Sequence, residues 1–276
     1  VRSILESVKI SKQKNLAIVA GFCWRYEFER RAFYERILGG EIGDVQSIYA
    51  TYLTGPVKPM RPDSARDESW SDIEWQVRNW YNFTWLSGDG LVEQAVHSVD
   101  KIAWAMGDTP PVSCTAVGGR GIPNHSGNIF DHIEVNYLYP NGVRAYMAQR
   151  QQRRCHNENN DYLLGTKGRG DIGRGIFIEN AKGRWRYEGK RENMYQVEHN
   201  ELFKSIRDGE PINNGERMAL STMMGIMGRT AAYTGKEITY EQALNSKEDR
   251  YPKDMNWETG KHTPPPVAQP GITPFV

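Results

Sequence analysis

Apolar residues recur along this chain at three- and four-residue spacing, then at alternate positions, then at helical spacing again. In the opening VRSILESVKISKQKN, Ile4, Leu5 and Val8 share one helical face, and LAIVAGF at 16–22 reads as a short buried strand. Residues 26–38 read as a helix stopped by Gly39 and Gly40, and 44–53 as a strand. A polar, proline-bearing loop fills 55–75, and 91–106 is an amphipathic helix with Asp89 placed to cap it. Period two then takes over. Val112, Cys114 and Ala116 alternate, as do Ile133, Val135, Tyr137 and Tyr139, and YPNGV turns the chain back through Val143, Ala145 and Met147. Further strands are predicted at 161–164, 175–178 and 185–187, and helices near 193–207 and 216–233. Strands in a run with helices at the ends predict an α+β fold built on an open, mostly antiparallel sheet. From Arg250 the chain carries six of its fourteen prolines, which predicts an extended tail that does not pack.

Composition narrows the functional classes. A formal net charge of +1 gives no electrostatic reason to expect nucleic acid or an anionic membrane as partner. No run approaches the roughly 18 apolar residues of a membrane span. Cys23, Cys114 and Cys155 have neither disulfide-framework nor metal-ligand spacing, and no metal site is expected.

GRGDIG at 168–173 spells the glycine fingerprint of a dinucleotide-binding turn. That fingerprint needs a strand before it and a helix after it, so that free amides meet a pyrophosphate. Here it stands between two strand-like segments, DYLL and GIFIEN, and reads as a hairpin turn instead.

Candidate chemistry concentrates on the helix at 91–106. Wound at about 100° per residue, Val92, Ala95, Val96, Val99, Ala103 and Met106 form a core stripe, and Gln94, Ser98 and Lys101 point to solvent. Glu93, His97, Asp100 and Trp104 fall on a third stripe. A carboxylate four residues before a histidine can orient the imidazole and raise its basicity, as a general base requires; the same spacing also fits an ordinary surface ion pair. Just upstream, VRNWYNFTW brings Trp80 and Trp85 beside Arg78, either as flat walls for a polar ring or as core closure. QRQQRRC at 149–155 reads as a solvated sheet edge, and the methionines of RMALSTMMGIMGRT as helical core.

Taken in order, LAIVAGFCWRY, GEIGDVQSIYATY, GDGLVEQAVHSVDKIAWAMGDTP, GTKGRGDI and EHNELFKSIRDGEPINNGERMALSTMMGIMGRTAAYTGK resemble the later part of the Gfo/Idh/MocA oxidoreductases, from about Val1 to Leu244. The likeness is greatest to the subgroup of Bacteroidetes- and Planctomycetes-type bacteria. It implies a Rossmann domain that binds NAD or NADP, followed by a sheet domain that contacts substrate and pairs with its counterpart in a homodimer or homotetramer. On that pattern residues 1–24 are the end of the Rossmann domain, 25–250 the substrate-binding and oligomerisation domain, and 251–276 the tail. His97 matches the family's histidine, and Glu93 stands where an aspartate is usual. The family's E-K-P lysine and its true glycine fingerprint would lie before Val1, so the 276 residues alone are expected to be inactive.

The resemblance therefore implies hydride transfer between a sugar, polyol or glycoside and a nicotinamide, with His97 and Glu93 as catalytic residues and Arg25, Arg78, Trp80, Trp85 and Asp100 contacting substrate. Two alternatives stand beside it: redox-assisted glycoside cleavage, and a non-catalytic dimerisation domain. Twin-arginine export signals common in the subgroup favour a periplasmic site.

Overall fold

The computed structural model describes residues 1–173 and 175–276. The first helix, α1 (Arg2–Gln13), buries Val8 and Ser11. The apolar run 16–22 is not a strand of the sheet: its pairing is one parallel bridge, Ile18 to Asn213, and Leu16 is half exposed. Apolar side chains make a strand only where a neighbour supplies a backbone ladder. The segment instead runs into a 3-10 turn, Cys23–Tyr26, and then α2 (Phe28–Leu38), which closes at Gly39 and Gly40, the latter at φ +80°.

After β1 (Val45–Thr54) the expected long loop ends early, at α3 (Asp72–Arg78), because Ser71 caps that helix by accepting from the Glu74 amide. α4 (Thr84–Ser87) follows. The single helix expected over 91–106 is broken into α5 (Gly90–Glu93) and α6 (Val96–Ala105). At the break the Ala95 amide reaches five residues back to the Gly90 carbonyl, at 2.9 Å. Such a widened turn carries one residue more than an α-turn, which rotates everything beyond it by about 100°. The expected solvent face of α6 is accordingly buried: Ser98 and Lys101 are 0% and 1% exposed.

The remaining strands are β2 (Ser113–Gly119), β3 (His132–Leu138), β4 (Arg144–Gln151), β5 (Asp161–Gly165), β6 (Gly168–Ile172), β7 (Ile176–Asn180) and β8 (Gly183–Arg186). After them come α7 (Met194–Arg207), α8 (Gly215–Thr234), the two-residue β9 (Ile238–Thr239) and α9 (Tyr240–Asn245). The strands form one sheet in the order β8-β7-β6-β5-β1-β4-β3-β2-β9, with β1 and β4 its parallel pair. The fold is therefore α+β around a large, mostly antiparallel open sheet. Helices α2, α6 and α8 cover one face, where Phe33, Ile48, Val99, Tyr137, Met147 and Met224 share the core. The other face presents Tyr49, Val117 and Leu164 to solvent.

GRGDIG is a strand, not the hairpin turn expected. Gly170 lies mid-β6, paired with Leu163 and Ile178, and a Cβ there would stand 2.6 Å from Phe33 Cζ. Its glycine serves a close approach between α2 and the sheet.

The tail is extended, as its prolines dictate, but it packs. Val267, Ala268 and Phe275 lie against the core. Backbone carbonyls of the tail accept from the body, Gly260 from the Asp72 amide and Pro265 from Asn128 Nδ2. Proline removes the tail's own hydrogen-bond ladder, so its carbonyls find partners in the loops it crosses.

Candidate functional site

The break between α5 and α6 decides what His97 and Glu93 can do. The helix is broken between the two residues, and no hydrogen bond or ion pair joins their side chains. Glu93 Oε2 is buried without a partner, and the charge nearest in influence to Glu93 is Lys58 rather than an imidazolium. The expected orienting pair is thus not formed. Burial raises the Glu93 carboxyl above its ordinary value, and Lys58 opposes the rise.

His97 is half-buried at the start of α6. Its ring lies edge-on to Phe22 at 5.9 Å between centroids and 5.4 Å from Trp24. Burial lowers its pKa below the usual 6.5, with Asp100 opposing and Lys101 adding to the fall. At neutral pH the ring is uncharged and can accept a proton.

Beneath α6, Ser98 Oγ donates to the Thr51 carbonyl at 3.1 Å, and Lys101 pairs with Asp161 at 2.6 Å, both charged groups almost fully buried. Lys101 Nζ also stands 4.2 Å over the Trp24 ring, and Arg30 lies 5.0 Å from the same ring. The indole is thus contacted by two cations and by the imidazole.

Where α5 approaches the sheet, the layer is polar. Gln94 Nε2 donates to the Tyr52 hydroxyl at 2.6 Å, and Gln151 Nε2 donates to the Tyr81 hydroxyl. Gln149, 2% exposed, has neither amide atom partnered. Gly90 makes this layer fit, since a Cβ there would meet Gln149 Nε2 at 2.7 Å and Gln151 Nε2 at 2.9 Å. A cavity of about 300 Å³ adjoins it, with Lys58, Tyr81, Phe130, Asp131 and Gln151 among its walls. Of the run QRQQRRC, expected as a solvated edge, residues 149–151 end the central strand β4 with Gln149 and Gln151 turned inward, while Arg153, Arg154 and Cys155 beyond it are exposed.

Of the expected substrate contacts, Arg25 and Asp100 are committed elsewhere. They are 4% and 2% exposed and form a two-point pair, Nε to Oδ2 at 2.8 Å and Nη2 to Oδ1 at 2.9 Å, with Ser221 Oγ also donating to Asp100. Arg25 further bonds Asp108. Buried charges paired in this way hold one another, and separating them to meet a ligand would be costly. Arg78 pairs with Glu74 at 2.7 Å and covers Trp70. Trp80 stands edge-on to Tyr81, with Lys58 over its ring. Trp85 donates to Gln76 Oε1 at 2.8 Å and faces the tail, in a separate cavity of about 590 Å³. Trp80 alone of the two tryptophans therefore borders the polar layer. Phe22, Trp24, Tyr52, Gln149 and Gln151 went unnoticed because three distant segments supply them. The inward alternation of the two glutamines on β4 is the one signal that pointed to them.

A family model described as the GFO/IDH/MocA C-terminal domain matches residues 31–170, half of the chain. The chain belongs to the GFO/IDH/MocA family. Solved structures of similar fold include several oxidoreductases. Myo-inositol 2-dehydrogenase from Lactobacillus plantarum is 17% identical over 86% of this chain and 69% of its own, with a TM-score of 0.61. Aldose-aldose oxidoreductase from Caulobacter crescentus, complexed with glycerol, is 17% identical over 86% and 68%, with a TM-score of 0.68. An oxidoreductase from Agrobacterium radiobacter in complex with NAD+, L-tartaric acid and magnesium is 11% identical over 86% and 69%, with a TM-score of 0.64. At these identities the likeness is one of fold. No curated protein sequence matches the chain. Among the described residues, no helix is long and apolar enough to cross a membrane.

Proposed function

We propose that this protein is an NAD(P)-dependent oxidoreductase acting on a sugar, polyol or glycoside, with His97 taking the substrate's hydroxyl proton. Oxidising a carbinol removes a hydride from carbon and a proton from oxygen, and the nicotinamide supplies the hydride acceptor. The chain's glycine fingerprint does not suit the cofactor's phosphates, because in β6 its residues are paired between β5 and β7. What these residues supply is the proton side of the reaction.

One observation carries this proposal: an uncharged imidazole, walled by Phe22 and Trp24, stands at a widened helical turn beside a polar layer with unpartnered amide and carboxylate atoms. Widened turns of this kind recur at functional sites. Glu93, Gln149 and Trp80 are proposed to orient the substrate's other hydroxyls. The open sheet face with Tyr49 and Leu164 is proposed to carry assembly into a homo-oligomer.

The test is an assay of the full-length protein with NAD+ or NADP+ against a panel of polyols, aldoses and glycosides, following reduced cofactor. Net reduction without bond cleavage supports the dehydrogenase. Glycoside cleavage with no net reduction assigns the redox-assisted alternative, and a fully active folded His97→Ala enzyme removes the proton role.

A further inference from the structure

The turn that starts the site helix is built around a residue in an unusual place. Asp89 has φ +94° and ψ 160°, a region that residues with a side chain almost never occupy. It is also fully buried. Its carboxylate accepts from the Phe130 amide at 2.8 Å, from the Leu91 amide at 3.3 Å and from the Tyr233 hydroxyl. Gly88 and Gly90 on either side have no room for a side chain, against Val92 and Gln149 respectively. The cluster extends to the stretch just before the tail. Arg229, 4% exposed, lies with Nη1 3.4 Å from the Gly88 carbonyl and pairs through Nη2 with Glu248. Arg250 bonds the same carboxylate and lies over Tyr233.

A glycine would hold this backbone without strain, so the carboxylate is retained against a conformational cost. What it secures is the first turn of α5, and α5 carries Glu93 and leads through the widened turn to His97. We infer that Asp89 is a positioning residue: tied to Tyr233 and flanked by the Glu248-paired Arg229, it fixes where α5, which carries Glu93 and leads into the helix of His97, begins. This inference rests on the proposed proton role of His97 for its catalytic meaning, and on the hydrogen bonds alone for its geometric content.

His97 reports its own position. Its ring lies against Phe22 and Trp24, so ring currents make its NMR signals sensitive to small displacements. The experiment compares the His97 ring signals, melting temperature and turnover of the full-length wild type with Asp89→Gly, Asp89→Asn and Tyr233→Phe. Asp89→Gly removes the carboxylate and the strain together, whereas Asp89→Asn keeps an acceptor oxygen. The expected result is a folded glycine variant with displaced His97 signals, which the asparagine variant restores. With myo-inositol and NAD+ as the probe pair, kcat falls about tenfold or more in Asp89→Gly while KM changes little, as misplacement of a reacting group predicts.

Wild-type His97 signals in folded Asp89→Gly would overturn the inference. Should the glycine variant not fold, Tyr233→Phe removes a single hydroxyl and decides by the same comparison. Failure of the proton role shows separately, as undiminished turnover in His97→Ala, and leaves the signals to decide the positioning role even where the probe is not turned over.

Discussion

A neutral imidazole works as a proton acceptor only above its own pKa, and the surroundings of His97 set that threshold. Burial beside two aromatic rings holds it below 6.5. As the pH falls through that lowered midpoint the ring becomes charged, so oxidation is expected to be present above the midpoint and lost below it, at a pH lower than an ordinary histidine would set. His97→Ala is expected to lower kcat by about 10²–10⁴-fold, while costing only about 1–2 kcal/mol of stability because the side chain is half-buried. A pH–rate profile and a thermal melt on the same preparations check both. Glu93→Gln tests the pairing read from sequence. Since Glu93 does not touch the imidazole, the variant should leave the acid limb where it is, and a displaced limb would reinstate the pair. The four-residue spacing was legible; its consequence was not, because spacing predicts contact only along an unbroken helix. Arg25 and Asp100, expected as substrate contacts, are bonded to each other, and this was not legible for a related reason. Sequence shows that two charges exist, whereas their mutual distance depends on how a 3-10 turn docks against α6.

Elements were more legible than the contacts between them. Period-two alternation located β2, β3 and β4, and the same alternation placed the buried Val135, Tyr137, Ala145 and Met147. GRGDIG escaped because glycine carries no β signal; its strand is imposed by neighbours on both sides and by Phe33 beneath. Gly170→Ala should therefore destabilise by about 1–3 kcal/mol through overpacking, since Phe33 is fully buried and has nowhere to move. NADH affinity of the full-length enzyme should not change; lost affinity with unchanged melting would contradict the strand's structural role. The inner face of α6 escaped for another reason. A lysine reads as solvent-facing until a buried carboxylate is found for it, and Asp161 lies sixty residues away on β5. Lys101→Met leaves that carboxylate unpaired and is expected to cost about 3–5 kcal/mol in denaturant unfolding at neutral pH. Replacing Asp161 by Leu in the same chain should recover most of the loss; a double variant as unstable as the single would show that packing, not charge, ties α6 to β5.

At the scale of the whole molecule, the open sheet and its covering helices are closed by the tail. Proline spacing correctly indicated an extended path but could not reveal packing, because the surfaces the tail covers lie on α3, α8 and the loop before β3. Three kinds of interaction hold the tail and the short stretch 246–250 that leads into it. Val267, Ala268 and Phe275 bury apolar surface, tail carbonyls satisfy Asp72, Gln76 and Asn128, and Glu248 neutralises Arg229 inside the core. These differ in what their loss would cost. Apolar surface re-exposed to water costs about 25 cal/mol per Å², and freed polar groups at the loops find water instead. Arg229 loses the carboxylate paired with it, and its Nε already lacks a partner in the intact chain. A chain ending at Asn245 strands that guanidinium in the interior, with a penalty of about 3–5 kcal/mol on top of the lost packing. The truncated protein is expected to melt well below the full chain, and Arg229→Met in the truncated background should raise its melting temperature although the same change lowers that of the intact protein. Opposite signs in the two backgrounds isolate the buried charge as the principal contribution of residues 246–276. Equal melting of truncated and intact protein would instead make the tail an appendage, and its contacts with the body would carry no stability.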